Sequence, residues 1–88
     1  MYEWDKSNVG HIALHGILTA EVEQVIKNDP IDLEIQQHEN EERVVQVGVT
    51  DSFRVLIVIV TWRGDLVRPV TAFDAPPQLR EFYFAEKG

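Results

Sequence analysis

FRVLIVIVTWRGDLVRPVTAFD, residues 53 to 74, is the stretch whose reading decides the fold. Phe53 to Trp62 is almost continuously apolar and β-branched, the composition of a central strand covered on both faces. Gly64 and Asp65 suit a tight hairpin of the type with glycine at its first central position, and Leu66 to Phe73 returns as a second strand. Pro69 has no N–H for a ladder, so this returning strand belongs at a sheet edge or loses pairing there. A two-residue turn puts Arg68 on the face of Phe53, Val55 and Ile57, with Arg54 on the opposite face beside Leu56 and Val58. A three-residue turn or a bulge reverses that relation.

Upstream of this hairpin, Arg43, Val45, Val47 and Val49 alternate with Glu42, Val44 and Gln46, and Thr50, Asp51 and Ser52 supply the turn into Phe53. Ile31, Leu33 and Ile35 alternate with Asp32, Glu34 and Gln36, a half-exposed strand ending in the polar loop His38 to Glu41. Before Pro30 the period becomes helical. Asp5 is an N-cap with Trp4 outside it, Val9, Ile12 and Ala13 lie on one side, and Gly16 is the stop. Thr19 caps a second helix carrying Val22, Val25 and Ile26, with Glu21 in its first turn. After the last strand, Asp74, Pro76 and Pro77 start a final helix whose buried stripe is Leu79, Phe82 and Tyr83. The expected fold is α+β: two N-terminal helices, a four-stranded antiparallel meander and a C-terminal helix, read as one domain over residues 1–88.

Eighty-eight residues without a cysteine leave no disulfide and no thiolate metal site. The start lacks the pattern of a signal peptide, and Val55 to Val60 is far shorter than the roughly 20 apolar residues a spanning helix needs. The expectation is a cytoplasmic protein with no membrane partner. A net charge of −7 argues against nucleic-acid binding by bulk attraction, so any such contact must be local. The charge is unevenly spread, because acids crowd the first half while arginines lie between Arg43 and Arg80. A solvated acidic face accounts for the acids without any ligand.

Arg43, Arg54 and Arg68 lie on three successive predicted strands, and guanidinium groups held by a sheet can grip phosphate oxygens two at a time. Surface ion pairs with Glu41, Glu42 or Asp51 explain the same residues as well. His11 and His15 are four apart and share a helix side, but no further ligands converge on them in sequence, so no metal and no cofactor is expected. His15 at the helix end also suits the dipole there. Tyr83 can offer a hydroxyl to a site on the sheet or simply fill the core.

Taken together, YEWDKSN at residues 2 to 8, HIALHGI from His11, EVEQV from Glu21, ER at 42 to 43, VGVTDSFR from Val47 and VRPVTAFD from Val67 give a pattern that runs over nearly the full length. It resembles the BrnT family of bacterial toxins, which share the RelE-type ribonuclease architecture. The resemblance implies a metal-independent RNA endonuclease that arrests translation and is silenced by a BrnA-like ribbon-helix-helix antitoxin. It makes His15 the proton-transfer candidate, His11 its substitute, and Arg43, Arg54 and Arg68 phosphate clamps acting on RNA. The sequence departs from the family at Leu14 and Phe73, where members usually carry basic residues, and in a final helix whose only arginine is Arg80. The alternative reading is a catalytically silent interaction domain on the same scaffold.

Overall fold

The computed structural model describes residues 1–88 as α1 (Lys6–Ala13), α2 (Thr19–Lys27), β1 (Ile31–His38), β2 (Glu41–Val49), β3 (Val55–Arg63), β4 (Leu66–Asp74) and α3 (Pro77–Lys87). The strands form one antiparallel sheet in the order β1-β2-β3-β4, as the meander reading requires. The β1–β2 and β3–β4 hairpins are each closed by two residues, whereas Thr50–Arg54 joins β2 to β3. Glu39 and Asn40 have φ of 48° and 67° between His38 and Glu41, while Gly64 alone is left-handed, at φ 59°, between Arg63 and Leu66. Glycine pays no steric penalty for that conformation.

Two apolar layers sandwich the sheet. Ile12, Ile17, Val22 and Val25 from the helical pair pack on Leu56, Val58, Val60 and Ala72, whereas Tyr83 meets Val45, Val47, Val55 and Ile57 on the opposite face. β3 is thus buried on both sides along most of its length, which is why its sequence shows no polar alternation. Val25 and Pro30 press so closely on Gly48 that an added Cβ would come within 2.8 Å of Val25.

Several expectations shift. In α1 the residues facing the sheet are Asn8 and Ile12, while Val9 and Ala13 point outward. Asn8 turns inward because it closes a capping box: Asp5 Oδ1 accepts from the Ser7 and Asn8 N–H groups, and Asn8 Oδ1 accepts from the Asp5 N–H. Its amide then donates to the carbonyls of Glu3 and Pro69, at 2.9 and 2.8 Å. In α2 the N-cap is Leu18 rather than Thr19; lacking a side-chain acceptor, it relies on Glu21, whose carboxylate takes the Leu18 N–H at 3.0 Å. In β1 a bulge between Asp32 and Glu34 changes the side-chain parity, so Ile35 is 63% exposed instead of lying on the inner face. Phe53 precedes β3, at φ 67° and 69% exposed, because the Thr50–Arg54 turn closes first. In α3, Tyr83 is buried but Phe82 remains 38% exposed.

Pro69 lies where β3 and β4 slip register, between Ile59 and Val60, and it is also on the terminal strand of the sheet. That outer edge is partly closed by the N-terminus. Tyr2 bridges Val67 in parallel, the Val67 N–H donates to the Met1 carbonyl, and the Glu3 N–H donates to the Val67 carbonyl. No helix is long and apolar enough to cross a membrane.

Candidate active site

His15 sits in the turn that ends the first helix. The Gly16 N–H reaches the Ala13 carbonyl at 3.0 Å and the Ile17 N–H reaches Ile12 at 3.1 Å, the paired bonds of a glycine-terminated helix. Gly16 supplies the left-handed residue at φ 70°, and buried Ile12 and Ile17 anchor the turn from below. The turn therefore holds an exposed imidazole on a rigid base. The ring of His15 lies 5.9 Å from that of Phe73 on β4, in a tilted arrangement.

Arg54 ties this turn to the rest of the molecule. Its Nε and Nη2 donate to both oxygens of Asp74 at 2.8 and 3.0 Å, and its Nη1 donates to the Gly16 carbonyl at 3.1 Å. The same Nη1 lies 3.2 and 3.3 Å from the oxygens of Glu21, the carboxylate that caps α2. One guanidinium thus joins the histidine turn, the start of α2 and the end of β4, using the planar fork that lysine lacks. The hydrogen bonds from Arg54, with smaller help from the charges of Arg54 and His15, hold the Asp74 carboxyl below its ordinary value against the opposing effect of burial. Asp74 hydrogen bonding in turn raises the proton affinity of Arg54.

Arg43 and Arg68 are not part of this group. Thr61 pairs with Arg68, and extension of the Val44–Val60 register places Arg43 opposite Thr61 from the other side. The three residues form one row across β2, β3 and β4, with the two arginine backbones about 10 Å apart at ordinary strand spacing. Thr61 is seven positions beyond Arg54, or about 23 Å along the strand at about 3.3 Å per residue. No single phosphate can meet all three arginines. The two-residue turn keeps Arg68 on the face of Val55 and Ile57, and Arg54 on that of the helical pair, as the parity argument required.

In the row, Arg43 Nε binds Glu41 at 2.8 Å. Arg68 Nη1 binds Asp5 at 2.9 Å and Glu3 at 3.4 Å, and Arg63 joins Glu3 at 3.7 Å. The Arg68 hydrogen bond holds the Asp5 carboxyl below its usual range, aided by the Asn8 and Ser7 N–H groups. Thr61 is buried and donates its hydroxyl to the Glu42 carbonyl at 2.8 Å. His11 is exposed in the last turn of α1, and Tyr83 lies in the apolar cluster beneath the other face of the sheet. No group of three or more histidine and carboxylate side chains is gathered to hold a metal.

Residues 4–78 match the family described as "Ribonuclease toxin, BrnT, of type II toxin-antitoxin system". The chain belongs to the BrnT family. No curated protein matches it. Within that family setting, the residues missed by sequence reasoning are the ones that organise the turn. Glu21 and Asp74 are its carboxylate partners, and Asn8 fastens α1 to the Pro69 carbonyl. The D-x-x-N spacing of Asp5 and Asn8 carried the signal for the last of these. The Arg54–Asp74 and Arg54–Glu21 contacts span 20 and 33 residues and left no local trace.

Proposed function

We propose that this BrnT-family chain is a metal-independent endoribonuclease that inhibits translation in the cytoplasm and is neutralised by a BrnA-like ribbon-helix-helix antitoxin. The observation that carries the reading is the exposed His15 imidazole on a turn whose carbonyl is held by Arg54. Imidazole is the side chain best suited to exchange a proton near neutral pH. In this reading His15 takes the proton of a ribose 2′-hydroxyl as its oxygen attacks the adjacent phosphorus. The bond from phosphorus to the 5′-oxygen breaks, that oxygen gains a proton from water or from His11, and a cyclic phosphate is left. Arg54 keeps His15 in position and offers its charge to the crowded phosphate, which competes with Asp74 for the guanidinium.

Arg68 and Arg43 would then follow the RNA strand away from the cleavage point rather than clamp the same phosphate. Tyr83 acts on this site only through packing. The paired state of all three arginines favours a second reading, in which the scaffold is a catalytically silent interaction domain and the arginines are internal ties. Expression of the wild type, His15→Gln and Arg54→Ala, with and without the neighbouring reading frame, separates the two. Growth arrest and RNA fragmentation that vanish in His15→Gln support the nuclease. Harmless behaviour of every form, with intact RNA, leaves the silent domain.

A further inference from the structure

The two edges of the sheet are finished differently. β4 is closed by the N-terminal segment through the Tyr2–Val67 bridge, and Pro69 blunts it further. β1 pairs only with β2, so its other side presents unpaired backbone N–H and C=O groups. Such an edge is a template for another strand unless something blunts it. The bulge between Asp32 and Glu34 blunts the first half, which leaves Glu34 to His38 regular, paired in step with Val45 to Glu41. That segment contains no proline and no lysine, the usual guards of an edge.

Ile35 marks the open half. It pairs with buried Val44 on the face of the helical pair, yet is itself 63% exposed. α2 packs chiefly on β2 and β3. An added strand with an apolar side chain beside Ile35 would cover it. The charges name the occupant: Asp32, Glu34, Glu39, Glu41 and Glu42 surround the edge, and only Glu41 has an arginine on it. Two copies of the chain, each with net charge −7, would bring two such acidic rims together.

We propose that β1 is a docking edge for an extended, lysine- or arginine-bearing segment of another protein, which adds as a fifth strand along Glu34 to His38. Backbone pairing supplies the attraction, Ile35 fixes the register, and the carboxylates select basic side chains. The proposal does not depend on catalysis by His15, because β1 lies at the opposite edge of the sheet from β4 and the His15–Phe73 contact.

The test uses the full chain, isotope-labelled, titrated with a synthetic peptide of alternating lysine and valine. Amide shifts confined to β1 and its turn, weakened about tenfold or more on raising salt from low to physiological strength, are expected. A peptide with glutamate in place of lysine should produce none. Ile35→Lys, an exposed substitution whose unchanged thermal melt shows an intact fold, should abolish the lysine peptide's shifts. Absence of shifts at β1, or shifts that survive Ile35→Lys, overturns the proposal. So does a concentration-dependent dimer of the wild type that Ile35→Lys dissolves, since the edge would then belong to a second copy.

Discussion

At one end of β3, Arg54 gathers a turn, a helix start and a strand end around a single guanidinium; at the other, Arg43 and Arg68 lie in a flat row with Thr61 between them, each tied to carboxylates close at hand. The chemistry of the side chains is identical, and their surroundings give them different work. Arg54 fixes backbone: its contact with the Gly16 carbonyl makes the geometry of the His15 turn depend on it. The row residues are held by side chains alone, so in the proposed nuclease an RNA strand would compete only with carboxylates for them.

The sharpest way to break this contrast is His15→Gln. Loss of a proton-transfer group should lower RNA cleavage by about 10²- to 10⁴-fold while the melting curve stays put. An equal loss from His11→Gln would make His11, rather than water, the donor to the 5′-oxygen. Asn8→Ala comes next and concerns stability. Removing a buried amide that serves two carbonyls and a capping box should cost about 2–3 kcal/mol, measured by urea denaturation, with the row arginines loosened through Asp5.

Arg54→Lys tests whether Arg54 acts through the turn. Lysine keeps the charge but cannot span Asp74, Glu21 and the Gly16 carbonyl together, so we expect about 1–2 kcal/mol of lost stability together with reduced cleavage. Solvent screens this tie, because the Arg54 side chain is 30% exposed and that of Asp74 62%. If Arg54 is only a phosphate clamp, the lysine variant should retain its stability. Acid offers a gentler probe of the same tie. Asp74 binds a proton less readily when folded than when unfolded, so its contribution is present above the unfolded value, near 4, and fades as pH falls through the lowered folded one. The wild-type melting temperature should therefore drop more steeply below about pH 4 than that of Arg54→Ala. The smallest effect belongs to the row. Arg43→Ala should change stability by no more than about 1 kcal/mol, since both it and Glu41 meet solvent, yet weaken RNA binding in a salt-dependent way.

The order of elements was legible because each has its own period. The strands alternate or run fully apolar, the helices repeat every three to four residues, and Gly16, Gly64 and Pro77 punctuate them where the backbone needs a left-handed residue or a fixed helix start. The family pattern was legible for the same reason, since its blocks fall on those structural joints. Ile35 and Phe53 escaped the sequence reading because a bulge or an early turn resets parity without changing composition. Asn8 escaped because a polar residue facing a sheet looks misplaced until the Pro69 carbonyl is set opposite it.

By itself, then, the sequence determined the meander, the tight turn at Gly64 and Asp65, and the histidine at the glycine stop, all of which depend on neighbours within a few residues, while the faces of Arg54 and Arg68 waited on the length of that turn. Only the tertiary structure decided that Arg54 joins His15 while Arg43 and Arg68 do not. That division depends on how far apart positions on one rigid strand are carried, and on carboxylates brought in from 20 to 63 residues away, distances at which local sequence carries no physical constraint.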